Sequence, residues 1–223
     1  PKGTVISLAG YVPTKTGYTF GGWYLDAALT QPVAEVTLTG TTTVYAKWTE
    51  GVQANFPFTD VKTGDWFYEG VDYVWANGLM NGVSADTFDP YANTTRGMIV
   101  TILARMEGVN TSGGASWYAL GSEWAMNAGV SDGTNMEGKI TREQLAVMLY
   151  RYAKMKGYDV SASASLSSYT DASSVSGWAK EAMQWAVGSG LIQGSGSALN
   201  PQANASRAEV ATILARFAQT VAK

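Results

Sequence analysis

The sequence predicts a mainly α-helical protein with a small β-rich module at its N-terminus. Three observations carry this prediction. A pattern of tryptophans and glycines recurs three times between Trp66 and Gly194. After each recurrence an amphipathic helix starts on the same residue types. Ahead of the first copy, GTTTVYAKW, residues 40–48, alternates with the two-residue period of a strand.

The N-terminal module comes first in the chain. Val44, Ala46 and Trp48 fall on one face of its last strand, with Tyr45 and Lys47 on the other. Before it, PTKTGYTFGGWYLDAALTQPV sets turn residues between short aromatic runs. EGVQANFP, residues 50–57, reads as a linker.

The repeats follow. Trp66, Trp117 and Trp178 each lead, seven residues on, to a second aromatic: Tyr73, Trp124 and Trp185. Nine residues further come the closing glycines Gly82, Gly133 and Gly194. Between them stand Gly78, Gly129 and Gly190, where a helix ends and positive φ is required. The first helix of each copy is expected to carry Trp66, Val71, Val74, Trp75 and their counterparts. NTSGGAS (110–116) and SASASLSS (161–168) read as linkers between copies.

The second helix of each copy restarts as TRGMIVTILARM, TREQLAVMLYRY or SRAEVATILARF. Apolar positions superpose: Ile99, Leu145 and Val210; Ile102, Met148 and Ile213; Leu103, Leu149 and Leu214; Met106, Tyr152 and Phe217. Ser206 and Glu209 form a capping box, which Gly97 and Met98 remove from the first copy. In the second copy Gln144 keeps a cap, while Glu143 sets an acid next to the arginine in sequence. Arginines lead all three helices, as Arg96, Arg142 and Arg207, although a cation there opposes the helix dipole. Trailing arginines Arg105, Arg151 and Arg216 suit a helix C-terminal half and read as structural.

Composition bounds the function. The chain has 223 residues, 46% apolar and 15% charged, enough for one or two domains with real cores. A net charge of −3 without a basic run speaks against nucleic acid and anionic membrane as partners. With neither Cys nor His, disulfides, thiol nucleophiles, Cys/His metal sites and imidazole triads are excluded. No cofactor and no metal are expected. Because the first residue is Pro, the chain is expected to be a piece of a longer or processed protein.

FTDVKTGDWFYEGVDYVWANGLMNG followed by TRGM, and YTDASSVSGWAKEAMQWAVGSGLIQG followed by SRAE, resemble S-layer homology domains. The resemblance implies three repeats, at 58–109, 110–160 and 161–223, forming a pseudo-threefold, three-pronged unit around a central helix bundle. It implies glycan-binding grooves between adjacent prongs. The implied ligand is a secondary cell-wall polysaccharide of Gram-positive bacteria, anionic and often bearing pyruvate ketals. Residues 1–50 resemble the Listeria–Bacteroides repeat, a β-grasp-like surface module, through G-Y-T-F-x-G-W-Y-x-D and Y-A-K-W. That family has one more strand upstream than this sequence supplies, which predicts an exposed edge.

On this reading Arg96, Arg142 and Arg207 are anion-binding, each adding a fork of donors to a helix N-terminus. Arg207 is expected to face solvent, and each groove to draw on two neighbouring copies. Trp66, Trp117 and Trp178 are expected mainly to pack prong on bundle, with one ring edge open to a sugar. Gly78, Gly129 and Gly190 cap helices and let a ligand approach. Asp60 and Asp171 either cap the prong helix or accept a sugar hydroxyl. The expected protein is an extracellular, monomeric, non-enzymatic wall anchor. Alternatives are a subunit of a self-assembling surface lattice and a glycan hydrolase using carboxylates such as Glu123 with Glu143.

Overall fold

The computed structural model describes residues 3–8, 11, 13, 18–38, 40–50 and 56–222. The chain divides into two compact units, 1–57 and 58–223. Residues 14–17 of the expected turn region and 51–55 of the expected linker lie outside the described residues.

The first unit is built of strands. β1 (Val5–Ser7) pairs antiparallel with β4 (Glu35–Thr37), while β2 (Tyr18–Tyr24) lies between β3 (Pro32–Val33) and β5 (Tyr45–Glu50). The register of β2 on β5 shifts between Phe20 and Trp23, where Gly22 takes φ +102°. Phe20 then stands edge-on to both Trp23 and Trp48, at 5.3 and 5.6 Å. The Trp23 indole donates to the Tyr11 carbonyl at 2.8 Å. Lys47 lies over the Tyr24 ring, on the opposite face from Trp48, as the alternation predicts.

Among the described residues six α-helices make the second unit: α1 (Tyr68–Ala76), α2 (Arg96–Met106), α3 (Ala119–Asn127), α4 (Arg142–Lys156), α5 (Lys180–Gly188) and α6 (Arg207–Thr220). The protein is thus mainly α with a strand module at its start. None of its described helices is long and apolar enough to cross a membrane. α2, α4 and α6 are the long helices predicted to share a register, and all their superposed apolar residues are buried except Met106, which is half-buried. α1 packs on α6, α2 on α3, and α4 on α5. Gly70 and Gly121 let two of these pairs come close, since a Cβ there would sit 2.7 Å from Thr212 Cα and 2.9 Å from Thr101 Cα.

The extended residues before α2, α4 and α6 meet in a closed ring. The Thr94 amide donates to Ala205 O, the Ala205 amide to Ile140 O, and the Ile140 amide to Thr94 O, at 3.0, 2.9 and 2.9 Å. Thr94, Ile140 and Ala205 are all fully buried, so this ring satisfies backbone groups that water cannot reach. Each helix then starts on its expected cap. Thr141/Gln144 and Ser206/Glu209 form full capping boxes, whereas Thr95 caps α2 from one side only. Far from the ring, Glu107 accepts from the Tyr152 hydroxyl and from Lys156, tying the end of α2 to α4.

The three leading tryptophans lie outside the helices they were expected to join. Trp66 and Trp117 occupy turns just before α1 and α3, and Trp178 a 3₁₀ turn, Gly177–Ala179, before α5. Phe67, Tyr118 and Ala179 stand at the N-caps, so the helices begin two residues later than the tryptophans.

Candidate functional site

Each leading arginine reaches across to the loop of another repeat. Arg207 donates from Nε to Phe88 O and from Nη2 to Asn81 O, at 2.8 and 2.6 Å, and its guanidinium lies over the Phe88 ring at 4.4 Å. Arg96 donates to Thr134 O and to the Asp132 carboxylate, at 3.0 and 2.7 Å. Arg142 donates to Leu199 O, Gln193 O and Glu209, at 2.8, 3.2 and 2.5 Å. The pattern is cyclic: the third repeat's arginine holds the first repeat's loop, the first holds the second, the second holds the third. Burial pushes the Arg207 guanidinium down, while Asp89 and Asp60 act in the opposite sense.

These contacts correct two expectations. Arg207 is 6% exposed and does not face solvent. The helix starts also offer no free amide to an anion. The first two N–H groups of each helix donate to the same loops: Arg207 and Ala208 to Ala92 O and Pro90 O, Arg96 and Gly97 to Gly138 O and Met136 O, Arg142 and Glu143 to Ala203 O and Pro201 O. The third N–H of each donates to the capping hydroxyl. Glu143, expected beside Arg142, instead accepts from the Ser176 amide and hydroxyl at 2.9 and 2.8 Å, and only 4% of it is exposed. The acid paired with Arg142 is Glu209, from the other end of the sequence. Sequence distance gave no sign of that.

The carboxylates of the half-buried Asp60 and Asp171 cap no helix and are held by loop amides. Asp60 accepts from the Phe88 and Asp89 amides at 2.9 and 2.7 Å, and Asp171 from Leu199 and Asn200 at 2.8 and 2.7 Å. Asp89 and Asn200 hold φ of +59° and +51°, so each carboxylate pins a turn in the left-handed region. The Leu199 amide, ahead of the Asn200 amide, draws the Asp171 carboxyl below its ordinary 3.8 despite opposing desolvation. A lowered folded value contributes stability above the ordinary value and loses it as pH falls through the folded one. Urea unfolding should therefore show Asp171→Asn less stable than wild type at neutral pH. The gap should close as pH falls through the folded value; a constant gap would refute the assignment.

Three clefts open where these loops meet the helices. One, of about 310 Å³, is lined by Trp66, Arg142, Gln193, Glu209, Ile213 and Arg216. A second, of about 100 Å³, has Trp117, Arg207, Asn81, Met98, Ile102 and Arg105. A third, of about 230 Å³, has Trp178, Arg96, Asp132, Gln144, Met148 and Arg151. The residues correspond one for one along the repeat. Each cleft takes its tryptophan, its leading arginine and its helix face from three different repeats, whereas two were expected.

The tryptophan rings are 63%, 50% and 61% exposed at Trp66, Trp117 and Trp178, correcting the expectation that packing dominates. Trp117 comes over the start of α2 because Gly97 has no Cβ; one would lie 3.2 Å from its ring. Gly78, Gly129 and Gly190 end helices at φ +65°, +69° and +72°, as predicted; none lines these three clefts, but Gly129 lines a neighbouring one together with Trp178 and Arg151. The trailing arginines, read as structural, line all three. Arg216 also donates to Leu191 O and Gln193 Oε1, each at 3.3 Å. Their recurrence nine residues after each leading arginine was the signal that could have found them.

What such a cleft can do is clear from its groups. An exposed indole face suits the apolar face of a sugar ring, and arginines and carbonyls suit hydroxyl and carboxylate oxygens. Both oxygens of Glu143 are engaged by Ser176, and no group of acids among the described residues could hold a metal ion.

The chain is similar to parts of several known proteins. The chain is 29% identical over 180 residues to an endoglucanase of Bacillus sp., covering 75% of this chain and 19% of that protein. It is 26% identical over 168 residues to the surface-layer 125 kDa protein of Lysinibacillus sphaericus, covering 74% of this chain and 10% of the relative. An amylopullulanase of Thermoanaerobacterium thermosulfurigenes matches at 23% identity, covering 94% of this chain and 12% of its own length. The chain therefore spans less than a fifth of each of these relatives. Residues 57–97 and 168–211 match the S-layer homology domain, and residues 1–47 match the Listeria-Bacteroides repeat domain.

Proposed function

We propose that this chain is a non-catalytic anchor. It would hold a bacterial surface protein to the cell wall by binding secondary wall polysaccharide in clefts between three S-layer homology repeats. The second repeat, 110–160, is included because its tryptophan, glycine and leading arginine take the same places as those of its neighbours. The ring of backbone bonds and the cyclic arginine contacts support a pseudo-threefold unit, with α2, α4 and α6 as its central bundle. The observation that carries the reading is the exposed tryptophan standing beside arginines in each of three matching clefts. Monomeric behaviour, a Gram-positive source and a spacer role for the N-terminal module belong to the same proposal.

The test is co-sedimentation with purified wall sacculi before and after chemical removal of the secondary polysaccharide. Binding should vanish with the polysaccharide, and binding that survives removal would refute the ligand. Replacing Trp66, Trp117 and Trp178 together by Ala should weaken retention at least tenfold, about 1.4 kcal/mol or more. The melting temperature should change little, because the rings are largely exposed. Retention unchanged in that variant would remove the clefts from the mechanism.

A further inference from the structure

The three clefts share a plan but differ in ionic content. In the first, Glu209 pairs with Arg142, and Nε, Nη1 and Nη2 of that arginine all have protein acceptors. In the third, Asp132 pairs with Arg96. In the second cleft Met98 stands where Glu209 stands in the first, and Asn81 where Asp132 stands in the third. Among the described residues, no carboxylate lies within salt-bridge distance of Arg207, and no hydrogen bond reaches its Nη1.

The other charges nearby do not alter this contrast. Asp60 and Asp89 act on Arg207 through space. Asp60 is turned to the Phe88 and Asp89 amides, and neither acid lines the cleft. Asp171 acts on Arg142 in the same way, so an acid behind the loop is common to both clefts. Arg105 adds a second cation to the Met98 cleft, with Nε donating to Thr111 Oγ1, as Arg216 and Arg151 add one to the other two, so the clefts differ in the acid beside the leading arginine. Met98 also leaves α2 with only half a capping box. The acid missing from that helix start is also the one that would have paired with the arginine.

We propose that the anion selectivity of this protein resides in the Trp117–Arg207–Arg105 cleft, with Met98 and Asn81 as the residues that set it. Its volume of about 100 Å³ suits one carboxylate-bearing group rather than a run of sugars. The other two clefts, whose leading arginines are each paired with an acid, take uncharged sugar. This inference rests on the wall-glycan reading above.

The decisive variant is Met98→Glu. Its carboxylate would complete the capping box with Thr95 and reach Arg207 as Glu209 reaches Arg142. Folding and binding should therefore move in opposite directions. The probes are methyl 4,6-O-(1-carboxyethylidene)-D-glucopyranoside and the 4,6-O-isopropylidene glycoside, in which a methyl replaces the carboxylate. By calorimetry the wild type should bind the carboxylated probe at least tenfold more tightly, at one selective site per chain. Met98→Glu should abolish that preference, with a melting temperature no lower than wild type. Glu209→Gln, which retains a cap of the Gln144 kind, should open a second carboxylate-selective site.

Preference retained in Met98→Glu, or absent from the wild type, would overturn the proposal. So would a stoichiometry unchanged by Glu209→Gln. Failure of the wild type to bind polysaccharide-bearing sacculi would strike the anchoring reading instead, so the two failures are distinguishable.

Discussion

Arg207→Ala is expected to destabilise the helical unit by about 3 kcal/mol, because it removes a charged donor from two loop carbonyls. Phe88 O and Asn81 O would lose their guanidinium partner, and the face of the fully buried Phe88 ring would lose its cover. The lost contacts join residues more than a hundred positions apart, so no local rearrangement replaces them. For a unit of this size, the melting temperature should fall on the order of 10 °C. Arg207→Lys should recover only part of the loss, since one ammonium does not reproduce the planar fork that spans both acceptors. Denaturant unfolding of both variants provides the measurement. A loss under about 1 kcal/mol for the alanine variant would mean that the loop is held by other contacts. The same result bears on function, because weakened sugar binding in this variant would report a collapsed cleft as much as a missing contact.

The second large effect is expected at Gly70. Its Cβ would stand 2.7 Å from Thr212 Cα and 2.8 Å from Thr212 N, both backbone atoms of α6. Neither helix can yield without opening the contact between α1 and α6. Gly70→Val should therefore cost about 3 kcal/mol through overpacking. Gly64→Ala is the control: nothing lies within 4 Å of its Cβ position, so its stability should stay within about 0.5 kcal/mol of wild type. Thermal melts followed by near-ultraviolet dichroism would compare them. Equal stability of the Gly70 variant and the control would show that the helix pair is not close-packed at that point. The α4–α5 pair shows the alternative packing, where Ala182 and Val147 stand at the places of Gly70 and Thr212 and are themselves buried.

How much of this was legible in the sequence depends on the range of the interaction. The buried faces of α2, α4 and α6 were readable because a helix repeats every 3.6 residues, and that period is written locally. Their caps were readable because Ser206 and Glu209 are three residues apart and satisfy the same helix start. The glycines at 78, 129 and 190 could be placed because positive φ ends a helix with few alternatives. The candidate residues were found through their recurrence, but recurrence does not say which way a side chain points. Trp66 was expected to pack and stands exposed, while Arg207 was expected in solvent and is buried.

The sequence by itself determined the elements of this protein, their caps, their apolar faces and the equivalence of positions between repeats. Each of these is set by dihedral preference and periodicity over a few residues. Only the tertiary structure decided which loop each arginine would hold, and that Asp60 and Asp171 would pin turns instead of capping helices. It alone set Glu209 against Arg142 and, among the described residues, left Arg207 without an ion pair. Those outcomes depend on which buried carbonyls and carboxylates end up within hydrogen-bond reach after the chain closes its ring, and a linear sequence carries no distance between them.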